Sequence, residues 1–330
     1  MFTRLELTNF TVFESLDIDL SPGINVFVGA NGTGKTHLLK LMYCILASGY
    51  VKGDPLMKKI INVFRPESED IMRLTTRKND SNNTNIFFEW NGNTNNISWS
   101  KSPILSSPTF SFKLSSPVYI PVKEMLSFAP GFISLYDKYE LEFDELYPDM
   151  LRLAYFPRLK NIPKGFLEIL EIIPKLIHGE VIIKGEKFYL QSLHSDIEMS
   201  LVSEGFRKLA LIWQLIRNGS IQKGTTLFWD EPEANMNPSL MQHVSNILIM
   251  LANRGIQIFV ATHDYAFLKE LDYQKQQTPV TYFSLDTSEE NGVQANACFR
   301  YTDISPNRIA EENLRIYDLE IKRSLGVDSK

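Results

Sequence analysis

Cysteine is scarce: Cys44 and Cys298 are the only two in 330 residues. They have neither metal-ligand spacing nor the numbers for a disulfide framework, which fits a reducing compartment and assigns them no chemistry. Long apolar runs are missing as well. No stretch approaches the roughly eighteen residues a membrane helix needs, and the start "MFTRLELTNF" lacks the apolar core of a signal peptide, so a cytoplasmic location is expected. Nor is there an excess of positive charge. A formal net charge of -5 argues against a surface that coats nucleic acid indiscriminately. Lys58, Lys59, Arg73, Arg77 and Lys78 form the best local basic cluster and read as a solvated face. What remains, with 44% hydrophobic and 22% charged residues, is ordinary globular composition, enough for one extended domain or two small ones.

The strongest signal lies near the N-terminus. The apolar strand "INVFV" runs into "GANGTGKTH" and then "LLKLMYCIL", the order of strand, glycine loop and helix that phosphate binding requires. Gly29, Gly34, Lys35 and Thr36 satisfy G-x-x-x-x-G-K-[ST] in full. Gly32 and Gly34 let the backbone of Gly29, Ala30, Asn31, Gly32, Thr33 and Gly34 wrap so that successive N–H groups point at phosphate oxygens, ahead of the positive end of the next helix. Lys35 is placed to neutralise the β and γ phosphates. The Thr36 hydroxyl suits Mg²⁺, a hard cation that prefers oxygen ligands. His37 extends the loop's run of nucleotide-side residues onto the helix and reads as a packing or surface residue rather than a catalyst.

A phosphate loop needs a partner that completes the metal site and handles water, and "TTLFWDEPEANMNP" supplies one. Asp230 at the strand end is assigned to the Mg²⁺ shell; Glu231 is assigned to orienting and polarising the attacking water. Taken alone, such a pair also serves as plain helix N-terminal charge. Further on, "IQIFVATHDYAFL" is another apolar strand, and His263 stands just past its carboxyl end, where ligands of open α/β sheets gather. It is assigned to sensing the γ-phosphate or the attacking water. Between the loop and the acids, "LVSEGFRKLALIWQL" reads on local signals as a capped core helix, with Ser203 as N-cap, Glu204 suited to the helix dipole and apolar residues at helical spacing.

Together these four pieces resemble the head domain of an ABC-class ATPase, in the RecF, SMC and OLD-like branch rather than the transporter subunits. "LTNFTVFESLDIDLSPGINVFVGANGTGKT" resembles that branch's opening throughout, and the likeness covers residues 1 to about 45 and 196 to about 275 closely. The resemblance implies a P-loop α/β fold with a mixed central sheet, an antiparallel β-lobe and a helical insertion. It also implies ATP and Mg²⁺ as ligands, and a homodimer that sandwiches two nucleotides. In that dimer Ser203 and Gly205 stand for the signature segment, acting in trans on the partner's γ-phosphate from a helix N-terminus. Asn235 and Asn237 fall where the family has a dimer-contacting turn. Two departures stand out. Glu204 replaces the first signature glycine, and no glutamine occurs from Thr36 to Leu190, with Glu124 in "YIPVKEM" its candidate substitute or else a surface acid after a strand. Variants with "SEG" and "DEPEAN" are similar to AAA-family ATPases that accompany toxins or nucleases in prokaryotic antiviral defence operons.

The organisation expected is an N-terminal part of the head with P-loop and β-lobe (1–125), a helical insertion (126–195) and a C-terminal part with signature, acid pair and histidine (196–330). "NIFFEWNGNTNNISWS" reads as a hairpin about Asn91-Gly92, after a polar, mobile loop "RKNDSNNTN". Pro148, Pro157, Pro163 and Pro174 interrupt the insertion too often for a long coiled-coil arm. "VTYFSL" and "ACFRYT" read as strands, followed by a polar helix from about Asn307. Phe13 is a candidate for stacking on adenine or for core packing. "RKND" is not the guanine-specifying pattern. The function expected is a Mg²⁺-dependent ATPase that drives or gates a separate effector protein, a toxin or nuclease. The alternative is an ATP-occupied regulatory scaffold with little turnover. A DNA-repair ATPase and a transporter motor fit the residues less well.

Overall fold

The chain opens on an antiparallel hairpin, β1 (Phe2–Phe10) and β2 (Phe13–Asp19), whose apolar residues face one core. This computed structural model describes residues 1–50, 56–76, 83–100, 117–139, 141–288 and 292–325. The next strand, β3 (Ile24–Gly29), is buried at every position, as a strand covered on both faces must be. It ends at the glycine loop, which feeds α1 (Lys35–Tyr50) and then α2 (Leu56–Phe64). A second hairpin, β4 (Asn83–Trp90) and β5 (Asn93–Ser100), turns at Asn91 and Gly92, with φ of 48° and 76°. That is the tight-turn geometry an Asn-Gly pair favours. Its pairing with β1 completes a four-stranded antiparallel sheet in the order β2-β1-β4-β5. The polar segment expected before it falls outside the described residues up to 82, and from Asn83 it is already strand.

After the short β6 (Val118–Ile120) come α3 (Phe132–Tyr139), α4 (Leu146–Ala154) and α5 (Leu167–Ile177), then a three-stranded sheet of β7 (Glu180–Lys184), β8 (Lys187–Gln191) and β9 (Asp196–Glu198). Pro148 and Pro174 sit in terminal turns of helices 9 and 11 residues long, where a missing N–H or a bend is tolerated. The start of α4 is bolted to α1 and α2 by charge. Lys59 is no part of a solvated face: it is buried, with its ammonium 2.6 Å from Asp149 and 3.3 Å from Glu145, and the Tyr43 hydroxyl donates to the same Asp149 carboxylate at 2.7 Å. Arg73 pairs with Glu67 instead, and Arg77 and Lys78 lie outside the described residues.

The rest of the chain runs α6 (Glu204–Arg217), β10 (Thr226–Asp230), α7 (Met241–Ala252), β11 (Gln257–Thr262), α8 (Tyr265–Gln274), β12 (Val280–Ser288), β13 (Gly292–Cys298) and α9 (Arg308–Ser324). The main sheet has the order β13-β12-β3-β11-β10-β6, parallel throughout except for the antiparallel edge strand β13. One core fills the side covered by α1 and the four-stranded sheet; a second fills the side covered by α5, α6, α7 and α8. Parallel β3, β10 and β11 therefore release their carboxyl ends on one edge. The strand expected over "ACFRYT" lies earlier, at β13: Asp272 accepts the backbone N–H of Tyr301 at 3.1 Å and draws the chain off the sheet into a 3₁₀ turn. Among the described residues no helix is long and apolar enough to cross a membrane.

Candidate nucleotide site

The loop after β3 is built on two glycines that adopt a backbone other residues avoid: Gly32 and Gly34 both have φ of 85°. At Gly34 space is the second constraint, since a Cβ there would stand 2.6 Å from Val12 and 2.7 Å from the Phe13 ring. Phe13 is thus the floor beneath the loop, fully buried in the core, and the stacking role does not hold because its faces are already covered. Thr33 ties the loop to itself by donating to the Ala30 carbonyl at 2.9 Å. Lys35 is buried too, and its ammonium donates to the carbonyls of Gly29 at 2.7 Å and Ala30 at 2.9 Å. Burial pulls the pKa of that ammonium down, while Glu231, Asp230 and Glu233 pull it back up.

Parallel pairing of β3, β11 and β10 brings the acids to this loop. The Thr36 hydroxyl donates to Asp230 Oδ1 at 3.1 Å, and the Tyr119 hydroxyl of β6 donates to Oδ2 at 3.2 Å. Burial pushes the Asp230 carboxyl up from its ordinary value, and these two hydrogen bonds oppose the shift. The Tyr119 phenol is pushed far up by burial and by the same carboxylate, so it stays a donor. A cavity of about 190 Å³ opens here, lined by Asn31, Gly32, Gly34, Lys35, Thr36, His37 and Glu231. His37 packs its ring against Phe64, with centroids 5.6 Å apart, and burial and Lys40 lower its pKa, so it is a neutral wall of the cavity. Among the described residues no three His, Cys, Asp or Glu side chains cluster as a metal cage. One hydroxyl and one carboxylate suit Mg²⁺, which keeps several waters and borrows phosphate oxygens.

Glu231 turns the chain at the strand end with φ of 47°, a left-handed conformation that a glutamate rarely adopts. Nδ1 of His263 lies 3.3 Å from its carboxylate and 3.8 Å from that of Glu233. Glu233 is a residue that the sequence reading missed, although "DEPEAN" displays it two places beyond the acid pair. Its side chain is buried, accepts from the Thr262 hydroxyl at 2.7 Å and the His263 amide at 3.1 Å, and burial pushes its carboxyl up.

Ser203 and Gly205 do not line this cavity; they stand at the start of α6. Ser203 occupies the N-cap position, yet its hydroxyl makes no capping bond and the residue is exposed. Gly205 is buried because the helix comes close to the turn after the acids: a Cβ would meet Met236 at 3.1 Å and the Asn235 carbonyl at 3.5 Å. Asn235 has φ of 59°, and Asn237 caps the 3₁₀ turn that precedes α7. Lys208, also missed, fixes the same junction from below by donating to the carbonyls of Glu231 at 3.2 Å and Ala234 at 2.8 Å. Glu124 is not a surface acid. It is buried, accepts the Ser127 hydroxyl at 3.1 Å and forms an ion pair with Arg207 Nε at 2.5 Å, so its carboxylate is committed to the start of α6. Arg207 also donates to the carbonyls of Met199 and Val202, the approach to Ser203.

A glycine loop between a buried parallel strand and a helix, with an acid delivered by the neighbouring strand, defines a P-loop nucleotide-binding protein. Residues 1–126 match the family described as "AAA ATPase domain", and residues 110–269 match that described as "AAA domain, putative AbiEii toxin, Type IV TA system". The chain is 28% identical over 257 residues to the DNA replication and repair protein RecF of Clostridium kluyveri, covering 68% of this chain and 69% of that one. With RecF of Acidothermus cellulolyticus it shares 51% over 45 residues, and there the match spans only 12% of the relative's length. The crystal structure of the Smc head bound to the C-winged helix domain of ScpA superposes with a TM-score of 0.59 at 13% identity, covering 91% of this chain and 98% of that one, a likeness of fold. The chain is accordingly a P-loop protein of the ABC ATPase class, similar in sequence to RecF and in fold to the Smc head.

Proposed function

We propose that the chain is a Mg²⁺-dependent ATPase that closes around nucleotide as a homodimer and gates a separate effector, a toxin or nuclease, in prokaryotic antiviral defence. The observation that carries the catalytic reading is the Thr36–Asp230 pair at 3.1 Å beside Glu231, which faces the cavity and has His263 at 3.3 Å. The loop amides bind phosphate oxygens, and Lys35 exchanges its two carbonyls for them. Thr36 and Asp230 would hold Mg²⁺, which would neutralise charge on the phosphates. Glu231 accepts the proton of the attacking water as its oxygen bonds to the γ-phosphorus and the bond to the ADP oxygen breaks. His263 steadies Glu231 and contacts the γ-phosphate. The exposed Ser203, its hydroxyl uncommitted, and Gly205 close the partner's site from the N-terminus of α6.

Support for an effector comes from the AbiEii description of the matched family and from the ScpA fragment named with the Smc head. Glu231→Gln is the test. It should bind Mg-ATP as the wild type does, turn over roughly a hundredfold or more slowly, and accumulate as dimer on a sizing column. Wild-type turnover in that variant removes Glu231 from its role. A second reading, an ATP-occupied scaffold that holds an effector inactive, is favoured by Glu204, whose charge sits in the first turn of α6. Steady-state ATPase assays with and without a co-purified effector separate the two: turnover that the effector leaves unchanged counts against the scaffold.

A further inference from the structure

The acid assigned to the metal is gripped from two sides by one helix. Thr36, in the first turn of α1, donates to Asp230 Oδ1 at 3.1 Å. Tyr43 lies about two turns further along the same face of α1 and reaches the other oxygen indirectly. Its ring meets that of Tyr119 edge-on, with centroids 5.5 Å apart and planes at 73°, and the Tyr119 hydroxyl donates to Asp230 Oδ2 at 3.2 Å. Tyr119 needs that support. It belongs to β6, a strand of three residues at the edge of the main sheet, paired among the described residues only to β10. Its ring stacks on Phe228 of β10 at 6.2 Å, and Tyr43 sets its own edge against Phe228 at 6.2 Å. The three rings form one buried cluster, in which edge-to-face and offset contacts are the favoured geometries.

Tyr43 is itself tethered, and from outside the nucleotide site. Its hydroxyl donates to Asp149 Oδ2 of α4 at 2.7 Å, the Lys59 ammonium donates to the same oxygen at 2.6 Å, and Arg152 Nη1 donates to Oδ1 at 3.2 Å. An unbroken series of contacts therefore runs from the helical insertion to the metal carboxylate, through Asp149, Tyr43, Tyr119 and Asp230. A carboxylate with one oxygen released can turn away from a cation, and the groups behind a ligand commonly set tenfold or more of its metal affinity. We infer that Tyr43 is a positioning residue for the divalent cation: its tether to α4 holds Tyr119, Tyr119 holds Asp230, and the insertion thereby sets how tightly the cation is bound. The inference rests on the reading of Thr36 and Asp230 as the Mg²⁺ site, and it gives α4, none of whose residues lines the cavity, a means of tuning that site. Contact alone does not establish coupling, whereas a double-mutant cycle does.

The probe is Mn²⁺, which takes the same oxygen ligands as Mg²⁺. Its binding to the full chain with ADP is read from the loss of the free-ion EPR signal, with no turnover involved. Tyr119→Phe should weaken Mn²⁺ about tenfold, and Tyr43→Phe, which keeps the ring and loses the tether, about threefold. In the double variant the loss should equal that of Tyr119→Phe alone, because Tyr43 acts through Tyr119. ADP binding in EDTA should be the same in all three, which shows that each is folded. A Tyr43 that only stabilises the fold would lower the melting temperature in Tyr43→Phe and leave Mn²⁺ affinity at the wild-type value. That result overturns the inference, and so does a double variant in which the two losses multiply. Asp230→Asn keeps this apart from the reading beneath it: it should weaken Mn²⁺ more than either tyrosine variant, and an unchanged affinity there removes Asp230 from the metal site and the inference with it.

Discussion

At the scale of single residues, the site depends on carboxylates kept away from water for different purposes. Asp230 is pinned by the hydroxyls of Thr36 and Tyr119, so its lone pairs are aimed before any ligand arrives. Glu233 serves another purpose, holding the amide of His263 and the hydroxyl of Thr262 while its second oxygen, Oε2, has no hydrogen-bond partner. Burial raises its carboxyl above the ordinary 4.5, so just above that value the native state keeps a proton the unfolded chain has lost. By linkage, stability falls as pH rises through that window, and the cost is complete once the folded group has ionised. Glu233→Gln retains an acceptor and carries no charge. Its melting temperature should therefore gain on the wild type as pH is raised from about 5 to about 8, a difference that scanning fluorimetry resolves. A gap that stays constant, or narrows, contradicts a buried and strained carboxylate. Glu233→Gln is also expected to lower turnover several-fold, since His263 loses one of its two neighbouring acids.

At the scale of elements, the link that matters is between the start of α6 and the turn after β10. Gly205 lets the two approach, and Lys208 joins them by giving its ammonium to the carbonyls of Glu231 and Ala234. Lys208→Met fills the same space without a donor. It should cost about 1–3 kcal/mol of stability for the carbonyls left unpaired, read by denaturant unfolding, and should slow hydrolysis while nucleotide binding stays intact, because Lys208 does not line the cavity. An unchanged turnover would mean that Glu231 is held without α6. Elements with a local code were legible in the sequence: β3, its loop and α1 from the glycine pattern, β10 from an apolar run ending in acids, β4 and β5 from Asn-Gly. Side chains whose meaning depends on a distant segment were not. Tyr119 reaches Asp230 only because β6 lies parallel to β10, and nothing near "VYI" announces that pairing. Lys59 looks like surface charge until α4 delivers Asp149, and Glu124 looks like a loop acid until α6 delivers Arg207. A buried ion pair is invisible from either end alone, because each half by itself has the signature of a solvated residue.

At the scale of the whole molecule, one chain holds the phosphate loop and the Ser203 helix end at different places, and the proposed reaction needs the two brought together from two copies. This trans arrangement makes a prediction that no cis site shares. Lys35→Ala removes the phosphate-binding ammonium, and Ser203→Arg puts bulk and charge where the partner's nucleotide must approach; each variant alone should be inactive, the first failing to bind ATP and the second binding it without dimerising. In a mixed dimer one site combines both defects. The other combines an intact loop from the Ser203→Arg copy with an intact Ser203 from the Lys35→Ala copy. Neither variant pairs productively with itself, so equal mixing can place every chain in a mixed dimer with one working site of two, and up to about half of wild-type turnover should return. A mixture as inactive as its components would show that Ser203 serves its own chain's nucleotide or none.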